Sequence, residues 1–295
     1  MTAYIRFCSS QLSSAALLQK LVEVRPEFDN LLRQCQTHTK VQGMPLSFYL
    51  LKPVKRVTEY PLLVEKLLKN TPEDHPDFVY TQEALNRSRI LCDQVNEGMR
   101  MKENSERLEW LQIHLDLTSE EKALQEKITF NSLTNSVGPR KFLHSGTLKK
   151  TKSEKELICF LFNDFVLLTT PNTNLNGQQF SFDKHHNVNL KIYRQVLNGL
   201  NSTSIQCVLQ PLFLNGVTIG GSLRKEEDSV GFSLKYGDVT LGLDCLSVND
   251  KTLWMSKLSE ALSNFATTEK KFLTKQKSGE PLFNSFVNRI VLQQN

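Results

Sequence analysis

The stretch LLKPVKRVTEYPLL, residues 50–63, lies within an apolar segment at residues 46–70 whose spacing predicts a helix. Pro53 and Pro61 each remove a backbone hydrogen bond to the carbonyl four positions earlier, so we expect the helix to kink or to break there. A Gly-Met-Pro sequence at residues 43–45 interrupts the chain before this segment. The stretch therefore places the first part of the chain in the all-α class.

Helical periodicity extends on both sides of this stretch, to about residue 127. Residues 12–21 and 26–36 are predicted helices, and Pro26 suits the first turn of the second because its missing N–H costs nothing there. A long helix without internal proline follows at residues 77–110. Its core-facing stripe, at spacings of three and four, comprises Leu85, Ser88, Leu91 or Cys92, Val95 and Met99.

The second part of the chain changes to a period of two, which predicts strands. These cover residues 142–149, 157–162, 165–170, 189–193, 205–214, 230–236 and 239–243. Asn163 and Asp164 tolerate positive φ and suit a two-residue hairpin turn. A closing helix, capped by Asn249 or Asp250, buries Trp254, Leu258, Leu262 and Phe265. We expect an α+β domain, a small partly open β-barrel capped by a C-terminal helix, although other α+β folds share this pattern.

The composition is ordinary for a chain of two domains, with 295 residues, 39% hydrophobic and 23% charged. No apolar run approaches the roughly 18 residues of a membrane span, and the N-terminus has no secretory signal, so we expect a cytoplasmic protein. The six cysteines form no CxxC pair, and the six histidines have no partners at catalytic or metal-ligating spacing. We expect no zinc site, no disulfide framework and no cofactor.

The formal net charge of +5 is too small to indicate a nucleic-acid partner without a basic face that carries aromatic residues. Lysines nevertheless cluster twice, at residues 141–155 and at residues 270–277. Each lysine contributes about 1 kcal/mol near an anionic membrane surface. A solvated charged face explains each cluster equally well.

Residues 50–63 resemble the third conserved region of Dbl-homology (DH) domains, commonly L-K-P-x-Q-R-[VI]-x-x-Y-P-L-L. Further segments resemble the intersectin group of that family, in which a pleckstrin-homology (PH) domain follows the DH domain. These segments are residues 70–77, 92–98, 103–110, 130–132, 138–146, 160–168 and 254–271. The resemblance implies an incomplete all-α DH helical bundle at residues 1–127, a linker at 128–140, an α+β PH domain at 141–272 and a tail at 273–295.

The resemblance also implies a guanine-nucleotide exchange factor that acts on a Rho-family small GTPase as part of an endocytic scaffold. Exchange makes no covalent bond, because the helical surface acts by stabilising the nucleotide-free conformation of the GTPase. The chain is therefore expected to be a regulatory catalyst and not an enzyme of covalent chemistry. The implied partners are the GTPase and endocytic scaffold proteins, at the plasma membrane or at endocytic sites.

Individual site residues follow from the DH motif. Lys52 matches the lysine that lies against the GTPase switch region, and Asn96 matches the asparagine that hydrogen-bonds the second switch. Neighbouring contact positions are occupied by Leu51, Val54 and Lys55. Lys55 stands where the motif usually has Gln, and Glu59 stands where intersectins carry Arg. Because a charge reversal at an interface alters partner choice, the Rho-family partner stays open.

The PH-like part offers a weak phosphoinositide or anionic-membrane site in the turn after its first strand. The site comprises Lys149, Lys150, Lys152 and Lys155. Phosphates favour clustered cations on a short loop. The next strand, at residues 157–162, carries no basic residue, so we expect only weak electrostatic contact. A protein-binding or purely structural role fits equally well.

The sequence begins where the second conserved region of DH domains begins. The first region would supply an early helix and a glutamate that contacts the first switch, and without it the neighbouring helices expose apolar stripes. We therefore expect the isolated chain to have little or no exchange activity. Two other functions stay open: a catalytically silent adaptor that binds a GTPase or an anionic membrane, and a helical-plus-PH interaction module in endocytosis.

Overall fold

The computed structural model describes residues 2–116, 130, 134, 137–193, 196–198, 205–207, 211–223 and 230–277. Its contacts divide the chain into two compact units, Met1–Asn104 and Ser105–Asn295. The first unit is helical, and the second combines a sheet with a C-terminal helix, so the predicted fold class is confirmed.

The first unit contains α1 (Thr2–Ser9), α2 (Gln11–Val24), α3 (Pro26–Thr37), α4 (Leu46–Lys69) and most of α5 (Phe78–His114). Pro26 occupies the first turn of α3, where the absence of its N–H breaks no helical hydrogen bond. The stripe predicted on the long helix is confirmed, because Leu85 and Val95 are buried and its other members are partly buried.

The helix α4 is continuous through Pro53 and Pro61, so the predicted alternative of a break is wrong. Pro61 has no N–H, which leaves the Val57 carbonyl without its helical donor. The Cys92 thiol of α5 donates to that carbonyl oxygen, with Sγ and O 3.2 Å apart. A side chain from another helix thus satisfies the carbonyl that the proline frees.

A small hydrophobic core joins α1, α4 and α5. Its buried centre is formed by Cys8, Val57 and Val95, and the partly buried side chains around it are Ile5, Val54, Leu91, Cys92 and Met99. Gly98 lies where α1 approaches α5, because a Cβ at this position would stand 2.7 Å from Ile5 Cγ2. Many apolar side chains of the unit remain exposed, among them Leu17, Leu31, Leu62, Leu67 and Val79.

The substitution Gly98→Ala tests the close approach of α1 to α5. Alanine favours a helix by about 1 kcal/mol over glycine, but overpacking costs about 1–3 kcal/mol. We expect the first unit to lose about 1 kcal/mol of unfolding free energy, measured by urea unfolding with circular dichroism. Gln94→Ala, at an exposed position one turn earlier, is the control. The penalty should vanish in an Ile5→Ala background, and its persistence there would contradict the steric explanation.

Among the described residues, the second unit contains eleven strands, the end of α5, a short 3-10 helix (Leu214–Gly216) and a long C-terminal helix. The strands are β1 (Leu115–Asp116), β2 (Phe142–Lys150), β3 (Glu156–Phe162), β4 (Phe165–Pro171), β5 (Leu190–Ile192), β6 (Val196–Asn198), β7 (Ile205–Cys207), β8 (Leu212–Phe213), β9 (Val217–Gly220), β10 (Gly231–Tyr236) and β11 (Val239–Asp244). The C-terminal helix is α6 (Val248–Lys277). The main sheet has the order β1-β5-β4-β3-β2-β11-β10-β9, with β8 paired to β4, while β6 pairs with β7. In the part of the chain that is described, β1 and β9 do not pair, so the sheet is open between them.

Three strands, β1, β6 and β9, are not among those that the sequence predicts. Each has four residues or fewer, too few for a period of two to be recognised. The strand predicted at residues 205–214 appears as β7 and β8, and residues 208–210 lie outside the described residues. The chain beyond Lys277 and much of the predicted linker at residues 128–140 also lie outside them.

Two hydrophobic cores lie on opposite faces of β3 and β4. Successive residues of β3 alternate between them, with Leu157, Cys159 and Leu161 in one core and Ile158, Phe160 and Phe162 in the other. The first core includes Trp254 of α6, and the second includes Leu108 and Leu111 from the end of α5. Because both faces are buried, β3 is a continuous apolar run and not an alternating one.

The predicted two-residue turn between β3 and β4 is confirmed, but side chains stabilise it instead of a positive φ. The Asn163 side chain accepts from the Lys141 N–H at 2.7 Å and donates to the Pro139 carbonyl at 3.0 Å. The Asp164 carboxylate is buried and binds Arg140 Nη2 at 2.8 Å. The turn is therefore tied to the chain segment that leads into β2.

The helix α6 is capped by Ser247, so the predicted cap at Asn249 or Asp250 is wrong. The Ser247 hydroxyl accepts a hydrogen bond from the Asp250 N–H at 3.1 Å and donates to the Asp250 carboxylate at 3.0 Å. Ser247 thereby satisfies one of the backbone donors left free at a helix start. The predicted stripe is confirmed, with Leu262 partly buried and the others buried: Trp254, Leu258 and Phe265.

His144 of β2 packs edge-to-face on Trp254, with ring centroids 4.5 Å apart. Within the described residues, neither His144 Nε2 nor Trp254 Nε1 has a hydrogen-bond partner. Burial lowers the pKa of His144, and the positive charge of Lys257 lowers it further, whereas Asp250 opposes the shift. The folded unit therefore favours the neutral imidazole.

We expect the second unit to lose stability on acidification. Because the folded pKa of His144 is lowered, the contribution of its neutral form is complete above about pH 6.5 and is lost as the pH falls through the folded pKa. Both tryptophans belong to this unit, so their fluorescence in urea titrations between pH 7 and pH 5 reports on it. His144→Phe should flatten the pH dependence relative to the exposed control His186→Gln. Equal slopes in the two variants would refute the assignment to His144.

Candidate functional site

The exposed side of α4 carries most of the predicted GTPase-binding residues. Successive helical residues are about 100° apart, so Lys52, Lys55 and Glu59 project nearly opposite Val57, which is buried. Leu51 lies at the edge of this face and keeps 50% of its surface exposed. The structure therefore brings these four predicted residues together on one surface.

Lys52 has aromatic partners within its own helix. Its Nζ lies 5.0 Å from the centroid of the Phe48 ring and 4.7 Å from the centroid of the Tyr49 ring. The two rings meet edge-to-face, with centroids 5.5 Å apart. The Tyr49 hydroxyl donates to the Val41 carbonyl at 3.0 Å. The ammonium thus lies beside two rings, one of which is tied to the chain before α4.

Lys55 and Glu59, the two departures from the DH motif, form an ion pair with each other. Their Nζ and Oε1 atoms are 3.8 Å apart at a spacing of four residues, and both side chains are substantially exposed. Such pairs stabilise a helix by only about 0.3–0.5 kcal/mol. The pair therefore has little weight in stability, but it cancels the charge that Lys55 adds to the surface.

The other two predicted residues, Val54 and Asn96, lie outside this exposed group of four. Val54 is partly buried and packs against the cluster that contains Val57 and Val95. Asn96 follows Val95 in α5 and is exposed. Among the described residues, no contact places Asn96 within the α4 surface, so its part in the site, like that of Val54, stays a prediction.

The second predicted site lies in the turn between β2 and β3, and the structure separates its four lysines. The ammonium groups of Lys150 and Lys155 each lie 5.7 Å from the centroid of the Tyr193 ring. Lys152 is exposed at the tip of the turn. Lys149 points to the other face of β2, because side chains alternate along a strand, and its cross-strand neighbours are Glu156 and Asp244. Lys150 and Lys155 therefore converge, and Lys149 is separated from them.

Phe48, Tyr49 and Tyr193 contact the predicted lysines but were not singled out from the sequence. A signal existed for the first two, since they precede Lys52 by four and three residues, the spacing at which helical side chains meet. No such signal existed for Tyr193, which follows β5. It is far from Lys150 and Lys155 in the sequence, and only the folded sheet brings them together.

Metal chemistry and membrane insertion have no support in the described residues. No group of three or more His, Cys, Asp or Glu side chains there is arranged to hold a metal ion. No helix in the same ranges combines the length and the hydropathy needed to cross a bilayer. Cys159 and Cys245 are free thiols, and burial raises the pKa of both, to about 12 for Cys245.

Two protein-family profiles match the chain in the order of its two units. The description of the first is RhoGEF domain, over residues 1–96, and that of the second is Pleckstrin homology domain, over residues 120–281. The matches and the fold together define a DH–PH module. The chain belongs to the family of proteins that join a RhoGEF (DH) domain to a pleckstrin homology domain.

Within this family the chain is similar to the intersectins. It is 42% identical to intersectin-1 of Homo sapiens over 273 residues, which cover 92% of this chain and 15% of the relative. It is 40% identical to intersectin-2 of Mus musculus over 292 residues, which cover 99% of this chain and 17% of the relative. The chain thus spans about one sixth of the length of these relatives.

Solved structures of DH/PH domains have the same fold. The DH/PH domains of PDZ-RhoGEF in complex with activated RhoA align with a TM-score of 0.62 and 23% identity, over 89% of this chain and 68% of that chain. The linker-DH/PH domains of p115-RhoGEF align with a TM-score of 0.65 and 19% identity, over 88% and 69% of the two chains. At these identities the likeness concerns the fold alone.

Proposed function

We propose that this chain binds a Rho-family GTPase through the exposed side of α4 together with Asn96, and that it acts as the exchange module of an endocytic scaffold. The observation that carries the proposal is Lys52, the lysine of the DH motif, which is exposed within the region that matches the RhoGEF family. We retain residues 1–127 and 141–272 as the proposed DH and PH domains. Similarity to the intersectins supports a peripheral location at the plasma membrane or at endocytic sites.

The mechanism requires differential binding and no covalent chemistry. A surface that binds the nucleotide-free GTPase more tightly than the loaded form shifts the population toward nucleotide release. Lys52 offers up to three N–H donors to carboxylate or carbonyl oxygens, and the Asn96 amide can donate and accept. PDZ-RhoGEF, which shares this fold, has been solved with RhoA bound to its DH/PH domains. That complex supports a Rho-family partner for the present chain.

The Lys55–Glu59 pair bears on which GTPase is bound. A partner that meets α4 encounters a carboxylate where intersectins carry Arg, beside a lysine that the carboxylate partly neutralises. Complementary charges across an interface chiefly determine specificity and association rate. We infer that the preferred GTPase has, on the surface that faces Glu59, a different charge from a GTPase that binds a DH domain with arginine at this position.

Binding to a nucleotide-free GTPase tests the proposal. The wild-type chain should bind at least one member of a Rho-family panel, RhoA included, more tightly after EDTA treatment than in the magnesium- and nucleotide-loaded form. Lys52→Ala should weaken this binding roughly 10- to 100-fold, because a hydrogen bond to a charged group is lost, and Asn96→Ala about 2- to 10-fold. Biolayer interferometry measures both.

Val79→Ala is a matched control, since Val79 is 67% exposed and lies about 25 Å along α5 from Asn96. Unchanged binding by Lys52→Ala would exclude the α4 surface as the site. Tighter binding to the loaded form would favour an adaptor over an exchange factor. A fluorescent-nucleotide release assay on the same samples measures the exchange rate, which we expect to be low.

A second candidate function, weak contact with an anionic membrane, is favoured by the convergence of Lys150 and Lys155 beside Tyr193. Two like charges near one ring repel each other, and a phosphate group between them relieves that repulsion. The outer face of β3 is buried in the second core, so basic residues have no place along that strand. The turn is therefore the proposed contact, together with the exposed Lys152.

Vesicle sedimentation tests the membrane contact. The double variant Lys150→Gln/Lys155→Gln should bind phosphatidylserine vesicles roughly 10- to 30-fold more weakly, at about 1 kcal/mol per lysine. Lys184→Gln/Lys235→Gln removes the same charge from exposed positions outside the turn and serves as the control. Equal losses in the two double variants would show that only net charge matters and would argue against a site in the turn.

A further inference from the structure

Lys52 and Lys55 are both exposed cations of α4, but they have different surroundings. Lys55 faces the Glu59 carboxylate at 3.8 Å. For Lys52, the described residues provide no carboxylate within 4.0 Å, and the neighbours of its ammonium are the rings of Phe48 and Tyr49. Among the described residues, no carboxylate therefore pairs with Lys52, while the two rings restrict its position.

We propose that Phe48 and Tyr49 form an aromatic seat that positions the Lys52 ammonium for an oxygen of the bound GTPase, which makes Phe48 a positioning residue of the binding surface. The inference rests on the proposed function. It assigns a role to residues that lie outside the predicted site and that touch the lysine and not the partner.

The seat has a defined geometry. The Tyr49 hydroxyl bonds to the Val41 carbonyl, which fixes this ring relative to the chain before α4. The Phe48 ring meets the Tyr49 ring at 86°, an edge-to-face arrangement that aromatic pairs favour. The ammonium completes a triangle with the two ring centroids, whose sides are 4.7, 5.0 and 5.5 Å.

The seat presents the lysine and does not sequester it. A ring attracts an ammonium through its quadrupole and uses up none of the N–H donors that an oxygen would accept. Phe48 keeps 41% of its surface exposed and Lys52 is exposed, so a partner can approach the ammonium. An ion–oxygen hydrogen bond is stronger than an exposed cation–π contact, so the rings do not compete with the GTPase for the lysine.

The benefit is preorganisation. Lysine loses much rotamer freedom when it is fixed in an interface, and a side chain that is already restricted loses less on binding. An exposed cation–π contact corresponds to about a 2- to 5-fold effect on an equilibrium constant. We expect the loss of the Phe48 ring to weaken GTPase binding by about this factor, without abolishing it.

The contact can first be tested in the free protein. Methylene protons beside aromatic rings are shifted upfield in NMR spectra, so the ε-CH2 signal of Lys52 should move toward the random-coil position in Phe48→Leu, which removes the ring but retains an apolar side chain. Phe48→Tyr should keep the wild-type shift. An unchanged signal in Phe48→Leu would show that the ring does not hold the lysine.

Binding to the most tightly bound nucleotide-free member of the Rho-family panel supplies the second test. Phe48→Leu should bind about 2- to 5-fold more weakly, Phe48→Tyr should restore the wild-type affinity, and Val79→Ala should leave it unchanged. In a Lys52→Ala background, Phe48→Leu should have no further effect, because its action passes through the lysine.

The outcomes separate the inference from the proposed function. Tighter binding by Phe48→Leu would mean sequestration, and an undiminished effect in the Lys52→Ala background would mean that Phe48 touches the partner itself; either overturns the inference alone. An effect of Lys52→Ala with none of Phe48→Leu also overturns it and leaves the proposed function intact. If the wild-type chain binds no member of the panel, or if Lys52→Ala is silent, the proposed site fails and the inference with it.

Discussion

The candidate GTPase site depends on the packing of α4 against α5 in the small core that contains Val57 and Val95. Val57 is fully buried and Val95 is 2% exposed. Because the helical repeat separates neighbours by about 100°, burying Val57 turns Lys52 and Lys55 outward, and burying Val95 leaves the next residue of α5, Asn96, exposed. Pro61 reinforces this packing indirectly, since it frees the Val57 carbonyl to accept the Cys92 thiol. The same short segment therefore supplies the core, a hydrogen bond between helices and the exposed surface.

In the second unit, burial of both faces of β3 imposes the corresponding constraint. A strand with a core on each side has no position for a solvated lysine, because an unpaired buried charge is costly. Cations near this strand are therefore confined to the turn before it, where Lys150 and Lys155 can reach solvent beside Tyr193. Among the described residues of this region, the buried cation Arg140 is paired with Asp164. Core packing thus determines that the turn before β3, and not the strand itself, can contact an anionic surface.

The sequence predicted most of the fold from the periodicity of its apolar residues, because a helix or strand that is buried on one side carries apolar residues at regular intervals. Long elements such as α4, β3 and α6 were recovered, whereas β1 and β9 were too short to show a period. Ser247 was missed as a cap because Ser, Asn and Asp all suit that position and only the structure selects among them. Positions of the site residues followed from the DH motif, but their partners did not. The pair formed by Lys55 and Glu59 is local and readable at a spacing of four, while the approach of Tyr193 to Lys150 requires the folded sheet.

The two departures from the DH motif have one physical explanation when they are taken together. Lys55 adds a cation to the side of α4 that carries Lys52 and Arg56, and an arginine at position 59 would add another and repel Lys55 at a spacing of four. Glu59 instead attracts Lys55 and lowers the net charge of the face. Lys52 and, at the edge of that face, Arg56 are left without a carboxylate within 4.0 Å among the described residues, and their charged groups lie beside aromatic rings. With Glu59 in place of an arginine, the surface attracts an acidic partner less strongly at long range, because its summed positive charge is lower. Its selectivity must then arise at close range, from where the Lys52 ammonium is held and from which group of the partner meets Glu59.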